Sequence, residues 1–462
     1  MNIPLLRSSE LRAIEERYAA ARPPLMERAA RAAAGLAGQL LGGRETRVLV
    51  LAGPGNNGGD ARVMAGLMRR QGFRVVVAGP GDKVPDESYG LVVDGLFGIG
   101  LTRPITGVYA DLIARINAFR GPVLALDIPS GLDGDTGRVL GAAVRASHTL
   151  SFIGGKPGLY TLDGPDHCGA VSVVDLGLSL DGFPGALLAA EDIADCLKPR
   201  QRNSHKGSYG SLAVIGGASG MIGAALLAAR AGLKLGAGRV FVGLLHGLAV
   251  DPMHPELMLR SPDDALAQAT TVIIGPGLGT SDAAVELVRR ATSADFPVLF
   301  DADALNLLAA HPVLAARVAR RVAPTLLTPH PAEAARLLAT TTDAVQADRV
   351  AAALELAQRF KAEVALKGCG TVLAFADGRW RINTNGNPGL ASGGSGDVLS
   401  GIIGALLAQG WPAAAALAGA VQLHGAAADA LAAAGAGPIG IAAGELIPLA
   451  RSLLNRLIAA DA

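Results

Sequence analysis

The sequence predicts an α/β protein with two domains, each built on a mainly parallel β-sheet. Two observations lead to this prediction. Short apolar runs with strand character alternate with helical patterns along the chain, which is typical of βαβ units. The chain of 462 residues is also too long for one ordinary hydrophobic core, although half of its residues are hydrophobic.

The candidate strands fall into two series. In the first half they are RVLVLAGP, FRVVVAGP, LVVDGLFG and PVLALDIPSG, separated by the helical patterns DARVMAGLMRRQGF and VYADLIARINAF. The second half restarts with SLAVIGG, RVFVGLL, TVIIGPGLG, PVLFDADAL, TLLTPHP and EVALKGCGTVLAF. Residues 191–210 between the two series are polar and turn-rich. We therefore predict one domain over residues 1–198 and a second over residues 199–462.

Composition and charge argue against several classes of protein. The net charge is +1, and no basic block interleaved with aromatic residues indicates a nucleic-acid partner. Cys168, Cys196 and Cys369 fit neither a disulfide framework nor a zinc site, and the N-terminus becomes charged too early for a signal peptide, so we expect a cytoplasmic protein. Residues 398–428 contain no Asp, Glu, Lys or Arg, but AQGWP interrupts them, which favours two buried helices over a membrane span.

A glycine-rich loop, AGPGNNGGD, follows the first candidate strand. Its glycines let backbone amides approach an anion at the start of the next helix. The loop matches neither the dinucleotide-binding fingerprint nor the P-loop, and a tight strand-to-helix turn explains the glycines alone equally well. Asn56, Asn57 and Asp60 provide more polar groups than a turn requires, which favours a binding role.

Two more strands of the first domain end in polar side chains. Asp94 ends one strand, and Asp127 and Ser130 follow another. Ligands of open parallel sheets bind outside the carboxyl ends of the strands, so we expect these residues to lie near each other. Oxygen atoms of Asn57, Asp94 and Ser130 would suit a hard cation.

Four motifs in order, NNGGD, VDGLFGIGL, LDIPSGLDGDTG and GGKPGLYTLDGPDHCG, resemble those of the NAD(P)H-hydrate epimerase domain. The N-terminal SELRAIEERYA and PPLMERAARA are similar to the helices that precede that domain. The resemblance implies a Rossmann-like three-layer α/β/α fold and a potassium ion held by Asn57, Asp94 and Ser130. It also implies substrate contacts from three segments: Asn56, Asn57, Gly58, Gly59 and Asp60; Gly98, Ile99, Gly100, Leu101, Thr102, Arg103 and Pro104; and Asp127.

Epimerising a hydroxylated carbon beside a ring nitrogen requires proton transfer, and Asp127 is the candidate acid or base. Lys156, in GGKPGLY, is a candidate second titrating group or anion contact. An ordinary surface lysine is the alternative interpretation.

Three polar positions of the second domain are also candidate site residues. His330 precedes Pro331 at a predicted helix start, where a structural role is the alternative. Lys367 precedes a glycine turn, where a lysine can meet a nucleotide phosphate. In NPGLASGGSGDVLSG, glycines free backbone amides before a helix that begins near Asp397. A simple helix cap is the alternative role for Asp397.

Glycines before an aspartate that opens a helix resemble the ribokinase-like superfamily. Within it, RNSHKGSYGSLAVIGG, HPELML, GPGLG, DADALN, TPHPAEAARLL, KGCGT and NPGLASGGSGDVLSG are similar to the ADP-dependent NAD(P)H-hydrate dehydratase. The resemblance implies a ribokinase-like α/β fold, ADP as co-substrate with Mg²⁺, and Asp397 as catalytic base. It implies substrate contacts from Ala224, Gly277, His330 and Asp397, and ADP contacts from Lys367, Gly368, Cys369, Gly370, Thr371 and Gly396.

Together the resemblances predict a bifunctional enzyme that repairs hydrated NADH and NADPH. The apolar N-terminal helical segments lead us to expect self-association. Two alternatives stay open at this stage. One is a small-molecule kinase, such as a vitamin-precursor kinase, with a fused binding domain. The other treats the first domain as a catalytically inert interaction or RNA-related module. The residues alone do not distinguish ADP from ATP, because both offer similar phosphates.

Overall fold

The structure is a computed structural model that describes residues 3–43, 46–85, 87–180 and 182–460. Contacts within the chain divide it into two units, Ile3–Ala186 and a second unit that begins at Leu187. The prediction of two α/β units is confirmed. This division of contacts falls before residues 198 and 199, where we place the boundary between the functional domains.

The sheet of the first unit contains six parallel strands among the described residues, in the order β2-β1-β3-β4-β5-β6. The elements in chain order are α1 (Ser8–Arg17), α2 (Leu25–Leu41), β1 (Arg47–Ala52), α3 (Asn56–Arg70), β2 (Arg74–Ala78), β3 (Tyr89–Gly95), α4 (Val108–Asn117), β4 (Val123–Leu126), β5 (His148–Phe152), α5 (Gly164–Cys168) and β6 (Ala170–Val174), and β7 (Gly185–Leu187) follows at the division of the chain. The strand order reverses between β1 and β3. Their carboxyl ends therefore open a crevice at this switch point.

Side chains of β1 alternate between two apolar layers, which makes the unit three layers thick. Val48 and Val50 pack with α2 and α3, whereas Leu49 and Leu51 pack with α4. The buried face of α2 consists largely of alanine, which allows α3 to approach closely. The predicted Rossmann-like α/β/α arrangement is confirmed.

The second unit is built on a sheet whose strands run β10-β9-β8-β11-β12-β13-β14-β15-β16. The strands from β10 to β14 are parallel, and β15 and β16 are antiparallel. The elements are β8 (Ser211–Gly216), α6 (Ile222–Lys234), β9 (Arg239–Leu244), β10 (Met258–Arg260), α7 (Pro262–Ala267), β11 (Thr271–Ile274), α8 (Asp282–Ala291), β12 (Val298–Phe300), α9 (Asp303–Ala310), α10 (Pro312–Val318), β13 (Thr325–Leu327), α11 (Pro331–Leu338), α12 (Thr342–Ala347), α13 (Arg349–Phe360), β14 (Glu363–Leu366), β15 (Val372–Ala374), β16 (Trp380–Ile382), α14 (Ser395–Ala408), α15 (Ala413–Ala433) and α16 (Ala443–Ala460).

The long uncharged stretch at residues 398–428 forms two helices, α14 and α15, as predicted. Both helices bury most of their residues in the core of the second unit. The AQGWP interruption seen in the sequence, residues 408–412, starts at the last residue of α14 and forms the turn between the helices. Within the described parts of the chain, no helix has the length and hydropathy needed to cross a bilayer.

Candidate active sites

The three oxygen-bearing residues predicted to hold a cation meet at the carboxyl ends of the first sheet. Asp94 is fully buried and accepts hydrogen bonds from the Ser130 hydroxyl (2.6 Å) and the Ser130 backbone N–H (2.8 Å). The Ser130 hydroxyl oxygen accepts a bond from the Phe97 N–H (2.8 Å). Asn57 donates its amide N–H groups to the carbonyls of Phe97 (2.8 Å) and Leu126 (3.1 Å). The side chains of Asn57 and Ser130 thus both bond the backbone of Phe97.

One atom of this cluster lacks a partner. Asn57 Oδ1 is buried, and no described group donates a hydrogen bond to it. Buried polar atoms are nearly always satisfied, so this oxygen has a lone pair available for a ligand. Burial raises the pKa of Asp94, and the hydrogen bonds from Ser130 oppose that shift. An unpartnered amide oxygen beside a buried carboxyl group and a hydroxyl is a set of donors that fits a hard cation.

Asp127 and Lys156 form a buried ion pair at the end of β4. Lys156 is 1% exposed, and its ammonium group donates to the Asp127 carboxylate, the Ser151 hydroxyl (2.9 Å) and the Phe152 carbonyl (3.0 Å). The alternative of a surface lysine is therefore wrong. Asp127 has a φ of 67°, in the left-handed region that non-glycine residues rarely adopt. Such backbone strain persists where the surrounding structure fixes a side chain for function.

A cavity of about 1060 Å³ opens above this ion pair within the first unit. Many of the predicted substrate contacts line it: Asn56, Asn57, Asp60, Gly98, Ile99, Gly100, Leu101, Thr102, Arg103, Pro104 and Asp127. Lys156, the candidate second titrating group or anion contact, also lines it. Gly58 and Gly59 lie outside the lining, and their lack of a side chain allows close contacts with the β1–α3 loop and with α2. A Cβ at Gly58 would lie 1.9 Å from the Gly53 carbonyl oxygen, and one at Gly59 would lie 2.7 Å from Met26 Cε.

The acidic side chains of Asp60, Asp127 and Glu15 lie close together in this cavity, which the sequence did not predict. Desolvation, reinforced by Asp127 and Glu15, raises the pKa of Asp60 to about 8. Glu15 and Arg12 come from α1 and line the same cavity, and sequence analysis missed both. Both residues are next to Leu11 and Ile14, the buried residues of α1. This helical pattern of apolar residues could have indicated that α1 packs against the site.

In the second unit, Lys367 at the end of β14 is paired with a carboxylate that sequence analysis did not name as a site residue. Its Nζ lies 3.1 Å from Oδ1 of Asp301, which follows β12. The other oxygen of Asp301 accepts a bond from the Ser400 hydroxyl on α14 (2.7 Å). Burial alone would lower the pKa of Lys367, but Asp301 and Glu333 raise it, so the ammonium group is charged. A Cβ at Gly396 would lie 3.4 Å from Lys367 Nζ, which places this charge against the glycine loop.

Asp397 lies in the first turn of α14, but it is not the cap of that helix. The cap is Gly394, whose φ of 90° requires glycine. The alternative role of Asp397 as a simple cap is therefore wrong. Desolvation, reinforced by Asp301, raises the pKa of Asp397 to about 6, whereas Lys367 opposes the shift. A carboxylate with this pKa can accept a proton near neutral pH.

His330 caps α11, so the structural interpretation of this residue is confirmed. Its Nδ1 accepts a bond from the Ala332 N–H (3.1 Å), and its Nε2 lies 3.3 Å from Glu333 Oε1. Desolvation and the charge of Lys367 lower the pKa of His330, so the ring is neutral at pH 7. Because Nδ1 accepts the bond from Ala332, the neutral ring carries its proton on Nε2. The ring is also partly exposed, so its face remains available to a ligand.

The predicted contacts Ala224 and Gly277 are neighbours in the structure. Gly277 follows β11 with a φ of 56°, and a Cβ there would lie 3.3 Å from the Cβ of Ala224 and 2.4 Å from the Met221 carbonyl oxygen. The loop after β11 therefore lies directly against the start of α6. This contact is at the switch point of the second sheet, where the strand order reverses between β8 and β11.

The turn predicted to contact ADP, residues 368–371, connects β14 and β15. Its backbone depends on glycine, because Gly368 and Gly370 have φ values of 146° and 62°. The Thr371 hydroxyl donates to the Gly368 carbonyl (3.1 Å), and the buried Arg349 donates to the Cys369 carbonyl. Arg349 and Thr371 therefore fix the conformation of this turn.

Family comparisons match both units. The family described as NAD(P)H-hydrate dehydratase matches residues 212–447, and the family described as YjeF-related protein N-terminus matches residues 23–88 and 80–158. A bifunctional NAD(P)H-hydrate repair enzyme of Coxiella burnetii is 39% identical over 447 residues, covering 88% of this chain and 90% of the relative. One of Escherichia coli is 41% identical over 424 residues, covering 83% of this chain and 81% of the relative.

Solved structures resemble the second unit. The ADP/ATP-dependent NAD(P)H-hydrate dehydratase of Bacillus subtilis, co-crystallized with ATP/Mg²⁺, is 30% identical with a TM-score of 0.51, covering 59% of this chain and 98% of that one. A ribokinase-like superfamily protein of Enterococcus faecalis is 26% identical with a TM-score of 0.53, covering 61% of this chain and 99% of that one. The predicted ribokinase-like fold is thereby confirmed.

Proposed function

Because the chain belongs to the family of bifunctional NAD(P)H-hydrate repair enzymes, we propose that each of its sites performs one step of repair. The enzyme interconverts the R and S epimers of hydrated NADH or NADPH and dehydrates the S epimer with ADP, giving NAD(P)H, AMP and phosphate. The observation that supports the residue assignments is that the chain has two sites, each with a carboxylate group and a lysine. One holds Asp127 and Lys156, and the other holds Asp397 and Lys367.

In the first site we assign proton transfer to Asp127, with Lys156 as its partner. The substrate carbon carries a hydroxyl group and is bonded to the ring nitrogen. Protonation of that hydroxyl lets the nitrogen lone pair expel water, and return of water to the opposite face with loss of a proton inverts the centre. The site therefore needs one group that donates a proton and one that accepts it. Asp60, whose pKa of about 8 keeps it protonated at neutral pH, is a suitable donor in the same cavity.

We assign a potassium ion to Asn57, Asp94 and Ser130 beside this cavity. The unpartnered Oδ1 of Asn57 and the buried carboxyl group of Asp94 support the assignment. Among the described residues, no group of three or more His, Cys, Asp or Glu side chains is arranged to hold a metal, which disfavours a transition metal here. When bound, the ion supplies positive charge near an anionic substrate.

In the second site we assign Asp397 as the base that takes the proton from the substrate hydroxyl. Hydroxide is a poor leaving group, so transfer of the terminal phosphoryl group of ADP to this oxygen comes first and releases AMP. Phosphate then leaves the carbon as a proton leaves the neighbouring carbon, which restores the ring double bond. Backbone amides of the loop before α14 and the ammonium group of Lys367 stabilise the transferring phosphate.

The remaining contacts of the second site follow from the same assignment. Ala224, Gly277 and the exposed face of His330 would meet the hydrated cofactor, and residues 367–371 with Gly396 would meet ADP. Mg²⁺ would enter together with the nucleotide, coordinated by the phosphate oxygens of ADP. We place the reaction in the cytoplasm, which agrees with the three free cysteines. We also propose that the protein forms a homo-oligomer.

An assay of the purified chain tests the function. Hydrated NADH is incubated with ADP, and the return of NADH absorbance is followed. Recovery of NADH supports repair, whereas no recovery favours the alternative of a small-molecule kinase. A parallel reaction with ATP shows which nucleotide the chain uses better.

A further inference from the structure

Helix α15 supports the chain segment that leads into the glycine loop of the second site. This segment, residues 383–390, contains three asparagines, and we call it the asparagine turn. A Cβ at Gly425 of α15 would lie 2.6 Å from the carbonyl oxygen of Asn385. The helix backbone and the turn are therefore in direct contact, and Gly425 is needed for that contact.

Asp429, one helical turn after Gly425, holds the asparagine turn through two hydrogen bonds. Its carboxylate accepts one bond from the Gly386 backbone N–H (2.8 Å) and another from the Asn387 side-chain amide (3.0 Å). Gly386 has a φ of 111°, a conformation that other residues rarely adopt. The carboxylate thus fixes both the backbone and a side chain at the tightest point of the turn.

The side chain of Asn387 also fixes the backbone of the residues that follow it, on the way to Asp397. Asn387 Oδ1 accepts a bond from the Gly389 N–H (3.0 Å) and caps the short 3-10 helix Pro388–Leu390. The chain continues from there into the glycine loop and α14. Helix α15 therefore holds the start of the segment that precedes Asp397.

The asparagine turn also contacts the turn at residues 368–371. The Asn383 backbone N–H donates to the Thr371 carbonyl (3.0 Å). The Asn383 side chain is buried and donates to the Asn385 carbonyl (2.7 Å). The asparagine turn therefore links the segment assigned to ADP with the loop that carries the base.

We propose that Asp429 is a positioning residue for the dehydration reaction. It acts through Gly386 and Asn387, which set the placement of the glycine loop relative to the turn at residues 368–371. This inference rests on the proposed function of the second unit. Phosphoryl transfer depends on in-line alignment of donor and acceptor, and a displacement of about 1 Å can slow a reaction roughly 100-fold.

The test exchanges the donor and acceptor of one hydrogen bond. In Asp429→Asn, one oxygen can still accept from Gly386, but the new amide N–H₂ faces the amide of Asn387. We expect the rate of dehydration of the S epimer at saturating ADP to fall about 10- to 100-fold. Adding Asn387→Asp supplies an acceptor opposite the new donor and keeps the acceptor for Gly389. The double variant is expected to recover to within about threefold of the unmodified chain, given the usual size of coupling between paired residues.

Two controls separate positioning from folding. Epimerisation by the first unit of the same chain and the thermal midpoint of unfolding are expected to stay at their original values. Asp343→Asn, an exposed change of the same kind on α12, is expected to have no effect on dehydration. If Asp429→Asn lowers folding, the comparison moves to Asn387→Ala, which keeps Asp429 and is expected to slow dehydration in a chain that remains folded at the assay temperature.

Several results would overturn the inference. One is an original dehydration rate in Asp429→Asn or in folded Asn387→Ala. Another is a folded double variant that remains as slow as the single one, because the charge rather than the bonding pattern would then matter. If the unmodified chain itself fails to restore NADH, the proposed function is wrong, and that outcome is distinct from failure of the positioning role.

Discussion

The ammonium group of Lys156 is buried against the carboxylate of Asp127, and both groups line the cavity of the first unit. Lys156 also bonds the Ser151 hydroxyl and the Phe152 carbonyl, so its position is fixed from three directions. A carboxylate held by a fixed partner can face a substrate in one orientation. The pair is therefore the strongest structural support for proton transfer in this cavity.

Replacing Lys156 by Met removes this partner. We expect epimerisation to slow by about 100- to 10,000-fold, the usual contribution of a positioned acid or base. We also expect the first unit to lose about 3–5 kcal/mol of stability, because a buried ion pair is broken from one side. Chromatographic separation of the R and S epimers measures the rate, and denaturant titration measures stability. Lys83→Met, at an exposed position of the same unit, should change neither quantity.

Potassium is expected to stabilise the first unit. An ion that binds only the folded state raises the midpoint of thermal unfolding as its concentration rises. We expect a higher midpoint in KCl than in the same concentration of choline chloride, and loss of this difference in Asn57→Ala. An equal midpoint in both salts for the unmodified chain would argue against the assigned site.

Asp60 is expected to make the first unit less stable as the pH rises. Its pKa is about 8 in the folded chain and about 4 when unfolded, so the unfolded state releases its proton first. The contribution of Asp60 to stability therefore falls between about pH 4 and pH 8. Asp60→Asn lacks this decrease, and its midpoint should exceed the original by more at pH 8 than at pH 5. Asp111→Asn, on the exposed side of α4, should show no such pH dependence.

His330 caps a helix and is also a proposed substrate contact. Replacing it by Asn separates these two roles. In His330→Asn, the side-chain oxygen can still cap α11, but the ring face is lost. We expect an unchanged thermal midpoint and a KM for the hydrated cofactor that rises about tenfold, equivalent to about 1.4 kcal/mol of binding. Ser281→Asn exchanges the cap of α8 and serves as the control. An unchanged KM in His330→Asn would restrict that residue to capping.

The sequence predicted features that arise from local patterns. Three kinds of feature lie where the periodicity of apolar residues changes: the loop between β1 and α3, the strand ends at Asp94 and Asp127, and the two helices that cover the uncharged stretch at residues 398–428. These transitions are encoded within about ten residues, so one sequence is enough to locate them. Strands β5 and β6 were not predicted, because HTLSF and AVSVV are short and contain polar residues.

The sequence could not show which distant residues pair. Lys156 has the local context of an exposed loop, and its burial depends on acceptors supplied by Asp127 and β5. Asp301 meets Lys367 only because β12 and β14 end at the same edge of one sheet. The pKa of Asp397 likewise depends first on burial and then on Asp301. Tertiary packing creates these relationships, and local spacing does not record them.

The most direct test of the two-site account follows NADH recovery from an equal mixture of the R and S epimers under conditions where they interconvert slowly without enzyme. With ADP present, the unmodified chain should restore NADH from both epimers. Asp127→Asn should rapidly restore only the half present as S, whereas Asp397→Asn should restore almost none and still equilibrate the epimers. Mixing the two variants should recover the full yield. Full rapid recovery by either variant alone would contradict the assignment of one reaction to each unit.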